Sequence, residues 1–302
     1  MPAKAEGWCQ TQGVQTVRVD RKNSWRYTLA HGGYMKRFCV MAAFVLGAAL
    51  LFSCSGKSAQ KELTLKKGEL QIGVNIAYPP FEYYDKDGKT PLGFDMDLGR
   101  AIAEKMGLKA DIVDVAWEGI FAGLDTNKYD VIISAVTITD ERKAHYEFTK
   151  PYIGNGQAII IKKGSKVTAA KPEDLTGLRV GYLTESTSDV FMTKLADGGL
   201  KFSAEEYDDE MNAFADLKNE RCDVVVADSL VAVDYVNKPD SPYQVVWQGP
   251  AEEFFGVCIK KGNTELAQAV DKALDDLFAD GTVKKLSEKN FGSDIVSSLR
   301  QQ

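Results

Sequence analysis

An alternation of short apolar runs and helical stretches constrains the fold of this chain more than any other feature of its sequence. Residues 70–75, 110–115 and 131–133 are short apolar runs of the kind that form strands. Between them, residues 95–107 and 117–124 carry apolar side chains at helical spacing. The order strand, helix, strand, helix, strand predicts a βαβαβ unit, and therefore an α/β fold with a parallel sheet.

Residues 130–145 are the stretch in which we place the function. Its apolar run is followed by small and polar side chains: Ser134, Ala135 and Thr137. A ligand in an open α/β sheet usually binds where a strand ends before a helix. Thr139 is typical of a helix N-cap, which puts Arg142 in the first helical turn. An arginine there can donate two parallel hydrogen bonds to a carboxylate, although the pattern also fits a capped helix with a solvated arginine.

Four motifs follow one another in a familiar order. They are Tyr-Pro-Pro-Phe-Glu, Gly-Phe-Asp-Met-Asp-Leu, Ser-Ala-Val-Thr-Ile-Thr-Asp-Glu-Arg-Lys and Tyr-Glu-Phe-Thr-Lys-Pro-Tyr, at residues 78–82, 93–98, 134–143 and 146–152. In these motifs the chain resembles the polar amino-acid-binding proteins of ABC importers, which are bacterial extracellular solute-binding proteins. The resemblance extends from about Gly68 to Gly292, so it is far more specific than one short pattern.

The resemblance implies a two-lobed periplasmic-binding-protein fold, in which each lobe is a mostly parallel sheet flanked by helices. The chain would cross twice between the lobes and form a two-strand hinge. Residues 68–153 and 256–302 would build lobe 1, and residues 154–255 would build lobe 2. In this family a free amino acid binds between the lobes and is passed to the membrane subunits of the ABC importer. We expect the protein to act as a monomer.

The resemblance also implies how the charged groups of an amino acid would be held. The α-carboxylate would contact the guanidinium of Arg142, the hydroxyl and N–H of Thr137 and the N–H of Thr187. The α-ammonium would contact Asp228, the carbonyl of Ala135 and Thr137. The residues themselves also favour a role for Asp228, because an acid at the end of an apolar strand is poorly placed for a merely solvated charge.

Further residues would set the preference for the ligand side chain: Asn75, Tyr78, Trp117 and Ser134. The two aromatic residues fall at the rim of the sheet, although both would also suit packing beneath a loop. Glu185 and Ser188 lie near a predicted helix start that faces the cleft, where an exposed acid is equally common. Aromatic walls and nearby acids favour a polar or basic ligand. Basic binders in the family commonly carry an aspartate at the position of Asn75, however, and an amide supplies no charge.

Composition argues against several other classes of function. The net charge of −6 is unlike the basic surface of a nucleic-acid binder. The two histidines, His31 and His145, fit no metal-ligand spacing, so we expect neither a metal nor a cofactor. Cys222 and Cys258 suit two buried thiols, and the sequence leaves a disulfide between them open. Two alternatives remain: an enzyme of this fold, such as a cyclohexadienyl dehydratase with Glu185 as proton donor, and a host-binding surface lipoprotein.

The N-terminal part of the chain predicts export and lipid attachment. Two basic residues precede an apolar run at residues 38–52, which fits a signal peptide and is short for a membrane span. The run ends in Leu-Phe-Ser-Cys, which resembles a lipobox whose cysteine, Cys54, receives the lipid. We expect translation to start at Met35 and the exported protein to be anchored on the periplasmic or cell-surface side. Residues 1–34 would then be an over-called start, upstream of the true start codon. Residues 35–53 would be the lipoprotein signal peptide, and residues 54–67 would be a tether between the lipid anchor and the folded domain.

Overall fold

The computed structural model describes residues 62–300, apart from the side chain of Arg300. The expected start at Met35, the signal peptide, Cys54 and most of the tether lie outside the described residues. No helix within residues 62–300 combines the length and the apolar character that a membrane crossing requires.

The described part of the chain alternates strands and helices almost throughout. The strands are β1 (Glu69–Val74), β2 (Tyr83–Tyr84), β3 (Pro91–Leu92), β4 (Lys109–Asp114), β5 (Val131–Ile132), β6 (Tyr146–Phe148), β7 (Ile153–Asn155), β8 (Gln157–Lys162), β9 (Arg179–Leu183), β10 (Ser203–Tyr207), β11 (Val224–Asp228), β12 (Tyr243–Gln248), β13 (Glu253–Phe255) and β14 (Cys258–Lys260). The α-helices are α1 (Phe94–Lys105), α2 (Ile120–Asp125), α3 (Asp140–His145), α4 (Thr187–Asp197), α5 (Glu210–Lys218), α6 (Ser229–Asn237), α7 (Thr264–Ala279) and α8 (Thr282–Phe291).

Two five-stranded sheets form two lobes of the same topology. The first has the strand order β4-β1-β5-β14-β6, and the second has the order β10-β9-β11-β8-β12. In the first sheet, β1 lies between β4 and β5 and pairs with both in parallel. In the second sheet, β9 lies between β10 and β11 and pairs with both in parallel. In each case the first strand of a βαβαβ unit lies between the other two. The predicted βαβαβ unit of the first lobe and the two-lobed α/β fold are therefore confirmed, and the second lobe repeats the same unit.

Each sheet is mixed, so the prediction of mostly parallel pairing describes only part of it. The third strand of each unit also pairs antiparallel, β5 with β14 and β11 with β8. These partners follow directly after the hinge strands β13 and β7, which pair antiparallel with each other. A strand that enters from the hinge runs away from the cleft, whereas the parallel strands run towards it. The two-strand hinge of the prediction is present.

Apolar packing holds the helices onto the sheets. The buried apolar side chains of α7 include four that recur at helical spacing: Leu266, Val270, Leu274 and Leu277. The two short strands β5 and β11 are buried along their whole length, which explains their apolar sequences. Phe81 is fully buried against Phe94 and Phe255, so the loop after β1 is tied to the core of the first lobe. This anchoring positions the loop that carries Tyr78 and the residues around it.

Candidate functional site

A cavity lies where the parallel strands of both sheets end. It is lined by Asn75, Tyr78, Glu82, Trp117, Ser134, Ala135, Thr137, Arg142, Leu183, Ser186, Thr187 and Asp228. Asn75 follows β1, Ser134 comes just after β5, and Asp228 ends β11. The sequence predicts nine ligand-binding residues, counted over both lobes. All nine line this cavity. Glu82, Leu183 and Ser186 line it as well, and sequence reasoning missed them.

Arg142 is held by the hydroxyl of Thr139, by the carbonyls of Thr137 and Glu185 and by two aromatic rings. Its backbone N–H donates to Thr139 Oγ1 at 3.1 Å, as the predicted N-cap requires. Its guanidinium donates to the carbonyl of Thr137 at 3.1 Å and lies 5.6 Å from the centroid of the Trp117 ring. The ring of Phe121 lies on it at 5.2 Å, and burial lowers the pKa of Arg142. The rings fix the plane of the guanidinium, which is the orientation a two-pronged contact needs.

Asp228 is a buried carboxyl surrounded by hydrogen-bond donors. It is 5% exposed, and its Oδ2 accepts from the hydroxyl of Tyr78 at 2.6 Å. Its Oδ1 accepts from Asn155 Nδ2 at 2.7 Å and from Gln157 Nε2 at 3.2 Å. Burial, together with the charge of Glu253, raises the pKa of Asp228 to about 7. Such a group gains most when a cation enters the cavity beside it.

Glu253, on the hinge strand β13, links the hinge to the site. Its Oε2 accepts from the Thr187 hydroxyl at 2.9 Å, and its Oε1 accepts from Gln157 Nε2 at 2.9 Å. Thr187 is the first residue of α4, so its N–H belongs to the amides without an acceptor inside the helix. Ser186 caps that helix by accepting from the N–H groups of Ser188 and Asp189. The helix start therefore leaves Thr187 facing the cavity.

The turn at Ala135 is held by a buried acid of the first lobe. Ala135 has a left-handed backbone with φ 48°, and its N–H donates to Asp95 Oδ2 at 2.6 Å. The hydroxyl of Tyr152 donates to the same oxygen at 2.8 Å. Burial raises the pKa of Asp95 to about 7. A non-glycine residue in this conformation needs such support, so Asp95 sets the path of the chain between Ser134 and Thr137.

Glu185 and Ser188, the two further residues expected near the ligand, lie outside the cavity lining. The Glu185 side chain is exposed, and the residue has a left-handed backbone with φ 56° just before the cap of α4. Its carbonyl nevertheless accepts from Arg142 at 3.3 Å. Ser188 points its hydroxyl at Gln157 Oε1, 2.7 Å away, and so supports the residue that contacts Asp228.

Two other features of the described residues bear on the site. No group of three or more His, Cys, Asp or Glu side chains within residues 62–300 is arranged to hold a metal ion. Cys222 and Cys258 are buried free thiols, as the sequence suggests.

Comparison with known proteins adds an independent line of support. Residues 70–293 match the family model of bacterial extracellular solute-binding proteins, family 3. The chain belongs to this family. The family is the one whose motifs the sequence resembles, and the matched residues cover both lobes and both hinge strands.

Individual relatives agree in length as well as in sequence. The chain is 34% identical over 272 residues to the L-cystine-binding protein TcyJ of Escherichia coli strain K12, covering 89% of this chain and 99% of that protein. A solved ancestral arginine-binding protein bound to arginine is 38% identical with a TM-score of 0.71, over 75% of this chain and 99% of that one. The ancestral amino acid-binding protein AncCDT-1, described as a precursor of cyclohexadienyl dehydratase, is 35% identical with a TM-score of 0.66, over 74% and 95%.

Proposed function

We propose that this protein captures one free L-amino acid between its two lobes and delivers it to the membrane subunits of an ABC importer. The observation that carries the proposal is the cavity in which Arg142 of the first lobe and Asp228 of the second lobe face the same space. One zwitterion that touches both charges joins the lobes, and this contact favours the closed state. We place the lobe boundaries at the hinge, with residues 68–153 and 256–302 in lobe 1 and residues 154–255 in lobe 2.

In this proposal the cavity divides its polar groups between the two ends of the ligand backbone. The α-carboxylate receives hydrogen bonds from Arg142, from Thr137 and from the N–H of Thr187. The α-ammonium donates to Asp228, the carbonyl of Ala135 and the hydroxyl of Thr137. The remaining polar and aromatic lining contacts the ligand side chain: Asn75, Tyr78, Trp117 and Ser134.

A ligand screen tests the proposal. The relatives above are named for cystine and arginine, so we expect an amino acid with a polar or basic side chain. Isothermal calorimetry of the full-length protein in detergent, against the twenty amino acids and cystine, should give tight one-to-one binding of at least one of them. Absence of binding to every member of this set would overturn the proposal.

The alternative of an enzyme is supported less well. A solved relative connected with cyclohexadienyl dehydratase is itself described as an amino acid-binding protein. The side chain of Glu185, the acid that suggested proton donation, is exposed. We expect no turnover of arogenate or prephenate by the purified protein, and product formation above a no-protein control would favour the enzyme.

Trp117 provides a test of the aromatic wall. The side chain is 7% exposed and lies between the cavity and Phe121, with ring centroids 5.8 Å apart. Trp117→Ala should weaken amino-acid binding by about 1–3 kcal/mol, because it removes apolar burial and the ring beside Arg142. Trp247→Ala is the matched control, since Trp247 stacks on Phe191 outside the cavity. Equal affinity of the Trp117 variant and the wild type would limit this residue to a packing role.

We also propose that the protein is exported and anchored through lipid on Cys54. The support is the lipobox-like Leu-Phe-Ser-Cys sequence after an apolar run, together with membership of an extracellular family. Cys54→Ala should remove the lipid and move the protein from the detergent phase to the aqueous phase, because anchoring depends on acyl chains. Phase partitioning and the intact mass of the exported protein measure this. A wild-type protein whose mature N-terminus carries no lipid contradicts the prediction.

A further inference from the structure

A carboxylate of the hinge holds two residues that serve the cavity. Glu253 lies on the hinge strand β13 and outside the cavity lining. Its Oε2 accepts from the Thr187 hydroxyl at 2.9 Å, and its Oε1 accepts from Gln157 Nε2 at 2.9 Å. Thr187 is the first residue of α4, and Gln157 is the first residue of β8. One side chain therefore fastens the start of a helix and the start of a strand to the hinge.

The amide of Gln157 carries this contact on to Asp228. Its Nε2 has three acceptors within reach: Glu253 Oε1 at 2.9 Å, Asp228 Oδ1 at 3.2 Å and Thr187 Oγ1 at 3.3 Å. An amide nitrogen has only two N–H groups, and the two carboxylates are its stronger partners. The amide oxygen accepts from the hydroxyl of Ser188 at 2.7 Å. These contacts fix the orientation of the amide and so aim one donor at Asp228.

The second hinge strand reaches the same carboxyl. Asn155 of β7 lies opposite Glu253 in the hinge pair, and its Nδ2 donates to Asp228 Oδ1 at 2.7 Å. The Asn155 Oδ1 accepts from the hydroxyl of Ser229 at 3.2 Å, which fixes this amide as well. Each hinge strand thus supplies one residue to the surroundings of Asp228, Asn155 directly and Glu253 through an amide.

Glu253 and Asp228 also interact through their charges. Burial is the main cause of the raised pKa of Asp228, and the charge of Glu253 is the next. A nearby negative charge opposes the ionisation of an acid and attracts a cation beside that acid. Glu253 therefore raises the pH at which Asp228 ionises, and it adds to the negative potential around the α-ammonium once Asp228 is ionised.

We propose that Glu253 is a positioning residue of the amino-acid site: it holds the start of α4 at the cavity, aims the Gln157 amide at Asp228 and strengthens the ammonium site through its charge. The inference rests on the proposed function and deepens it by adding a residue that acts from the hinge, outside the cavity.

Three other ionisable side chains act on these two acids. The Tyr78 hydroxyl donates to Asp228 Oδ2, and burial together with the charge of Asp228 raises the pKa of Tyr78 well above its ordinary value. The charges of Asp228 and Glu253 both act on Arg142 across the cavity. Burial, followed by the charge of Asp228, raises the pKa of Glu210 to about 8. Glu210 therefore titrates in the same range as Asp228, and the experiment must separate the two.

The experiment measures amino-acid affinity at pH 6 and at pH 8 by calorimetry on the full-length protein in detergent. L-arginine and L-glutamine are the first probes, because neither side chain changes its charge in this range. The tightest ligand of the screen replaces them if neither binds. In the wild type, the pKa of about 7 of Asp228 predicts roughly tenfold tighter binding at pH 8 than at pH 6.

Glu253→Gln should change both the affinity and its dependence on pH. Binding at pH 8 should weaken roughly 3- to 10-fold, because one of two carboxylate acceptors and the negative charge are lost. The ratio of affinities between pH 8 and pH 6 should fall to about two- to fourfold, because Asp228 then ionises at a lower pH. A purely structural role would weaken binding and leave this ratio unchanged.

Two further variants separate charge from reach. Glu253→Asp keeps the charge on a shorter side chain that cannot hold Thr187 and Gln157 together. Its affinity should fall at both pH values, while the ratio stays close to that of the wild type. Glu252→Gln is the matched control, since it removes the same charge one position earlier from an exposed side chain, and it should bind like the wild type.

A Glu210→Gln background tests whether the effect passes through Asp228. Adding Glu253→Gln to this background should lower the ratio of affinities as far as it does in the wild-type background. An unchanged ratio there would assign the dependence on pH to Glu210 and overturn the charge effect of Glu253.

The outcomes separate the two proposals. A wild-type protein that binds no amino acid overturns the proposed function and the inference together. Wild-type affinity of Glu253→Gln, or weaker binding with an unchanged ratio, overturns the inference alone. Thr187→Val keeps the inference testable if Glu253→Gln fails to fold, since it keeps the backbone N–H and removes the hydroxyl that Glu253 holds. Its affinity should fall roughly 3- to 10-fold at both pH values, and unchanged affinity would overturn the inference.

Discussion

Replacing Arg142 by alanine should weaken amino-acid binding by about 2–4 kcal/mol, which is roughly 30- to 1,000-fold in affinity. The guanidinium can form two charge-assisted hydrogen bonds with one carboxylate. Without it, the ligand carboxylate enters a buried site with only neutral donors around it, and the cost of its lost hydration remains. Calorimetry with the best ligand of the screen measures the effect. Small-angle scattering should show compaction of the wild type on ligand binding and none in the variant at the same ligand concentration.

Two other arginine variants make this result specific. Arg142→Lys keeps the charge but loses the planar fork, so its affinity should lie between those of the wild type and the alanine variant. Arg100→Ala removes a guanidinium that contacts the carbonyl of Pro91 on the surface of the first lobe, and it should bind like the wild type. If Arg142→Ala binds an amino acid tightly and compacts normally, the assignment of the carboxylate to Arg142 is wrong.

Asp228→Asn should weaken binding by a similar 2–4 kcal/mol, because the α-ammonium loses its counter-charge in a buried site. The amide is the same size as the carboxyl, and the Tyr78 hydroxyl that donates to Oδ2 can accept from an amide nitrogen instead. The substitution should therefore remove the negative charge and leave the shape of the cavity almost unchanged. Calorimetry with a ligand whose side chain is neutral measures it, and unchanged affinity would remove Asp228 from the ammonium site.

The pKa of Asp228, raised to about 7, adds a dependence on pH whose sign can be derived. The ligand requires the ionised carboxylate, so affinity in the wild type should level off above pH 7. It should fall by up to about tenfold per pH unit below pH 7. In Asp228→Asn this slope should be absent. A slope that persists in the variant must come from another group.

The raised pKa of Asp228 affects the stability of the ligand-free protein with the opposite dependence on pH: stability falls as the pH rises, whereas ligand affinity increases. A carboxyl whose pKa is raised on folding contributes stability that is present at low pH and is lost as the pH rises through about 7. Above pH 7 the buried charge of Asp228 therefore destabilises the ligand-free fold. Asp228→Asn should raise the melting temperature of the empty protein at pH 8 while it weakens binding. Opposite effects on stability and affinity distinguish a binding residue from a packing residue.

The sequence predicts most of the site because its residues are placed by local rules. Ser134 and Asp228 lie at the carboxyl ends of strands that are recognisable as apolar runs, and parallel strands bring those ends to one edge. Arg142 follows an N-cap, Thr139, whose hydroxyl accepts as the pattern requires. Trp117 lies in a 3₁₀ turn, whereas the sequence predicts an α-helix from this residue onward. The turn leads directly into α2, so Trp117 still lies just before a helix. Residues positioned by short-range structure can be found without knowledge of the tertiary fold.

The residues that were missed depend on distant parts of the chain. Glu253 reaches Gln157, 96 positions away, only because the two hinge strands pair. Glu82 follows two prolines and resembles an exposed loop acid until the first lobe folds over it. Glu185 and Ser188 depend on where α4 begins: with the cap at Ser186, Ser186 and Thr187 line the cavity, whereas Glu185 and Ser188 lie outside the lining. No local pattern determines such one-residue choices, because tertiary contacts set them.

The place of β14 in the first sheet determines the order in which the chain can fold. This strand is inserted between β5 and β6, and the whole of the second sheet is encoded before it. The second lobe can fold as soon as β12 has been synthesised, whereas the buried strand β5 must wait for its partner from near the C-terminus. During that interval the incomplete sheet exposes apolar strand edges that invite aggregation. A chain cut short before Cys258 would therefore contain one finished lobe and one that cannot be completed.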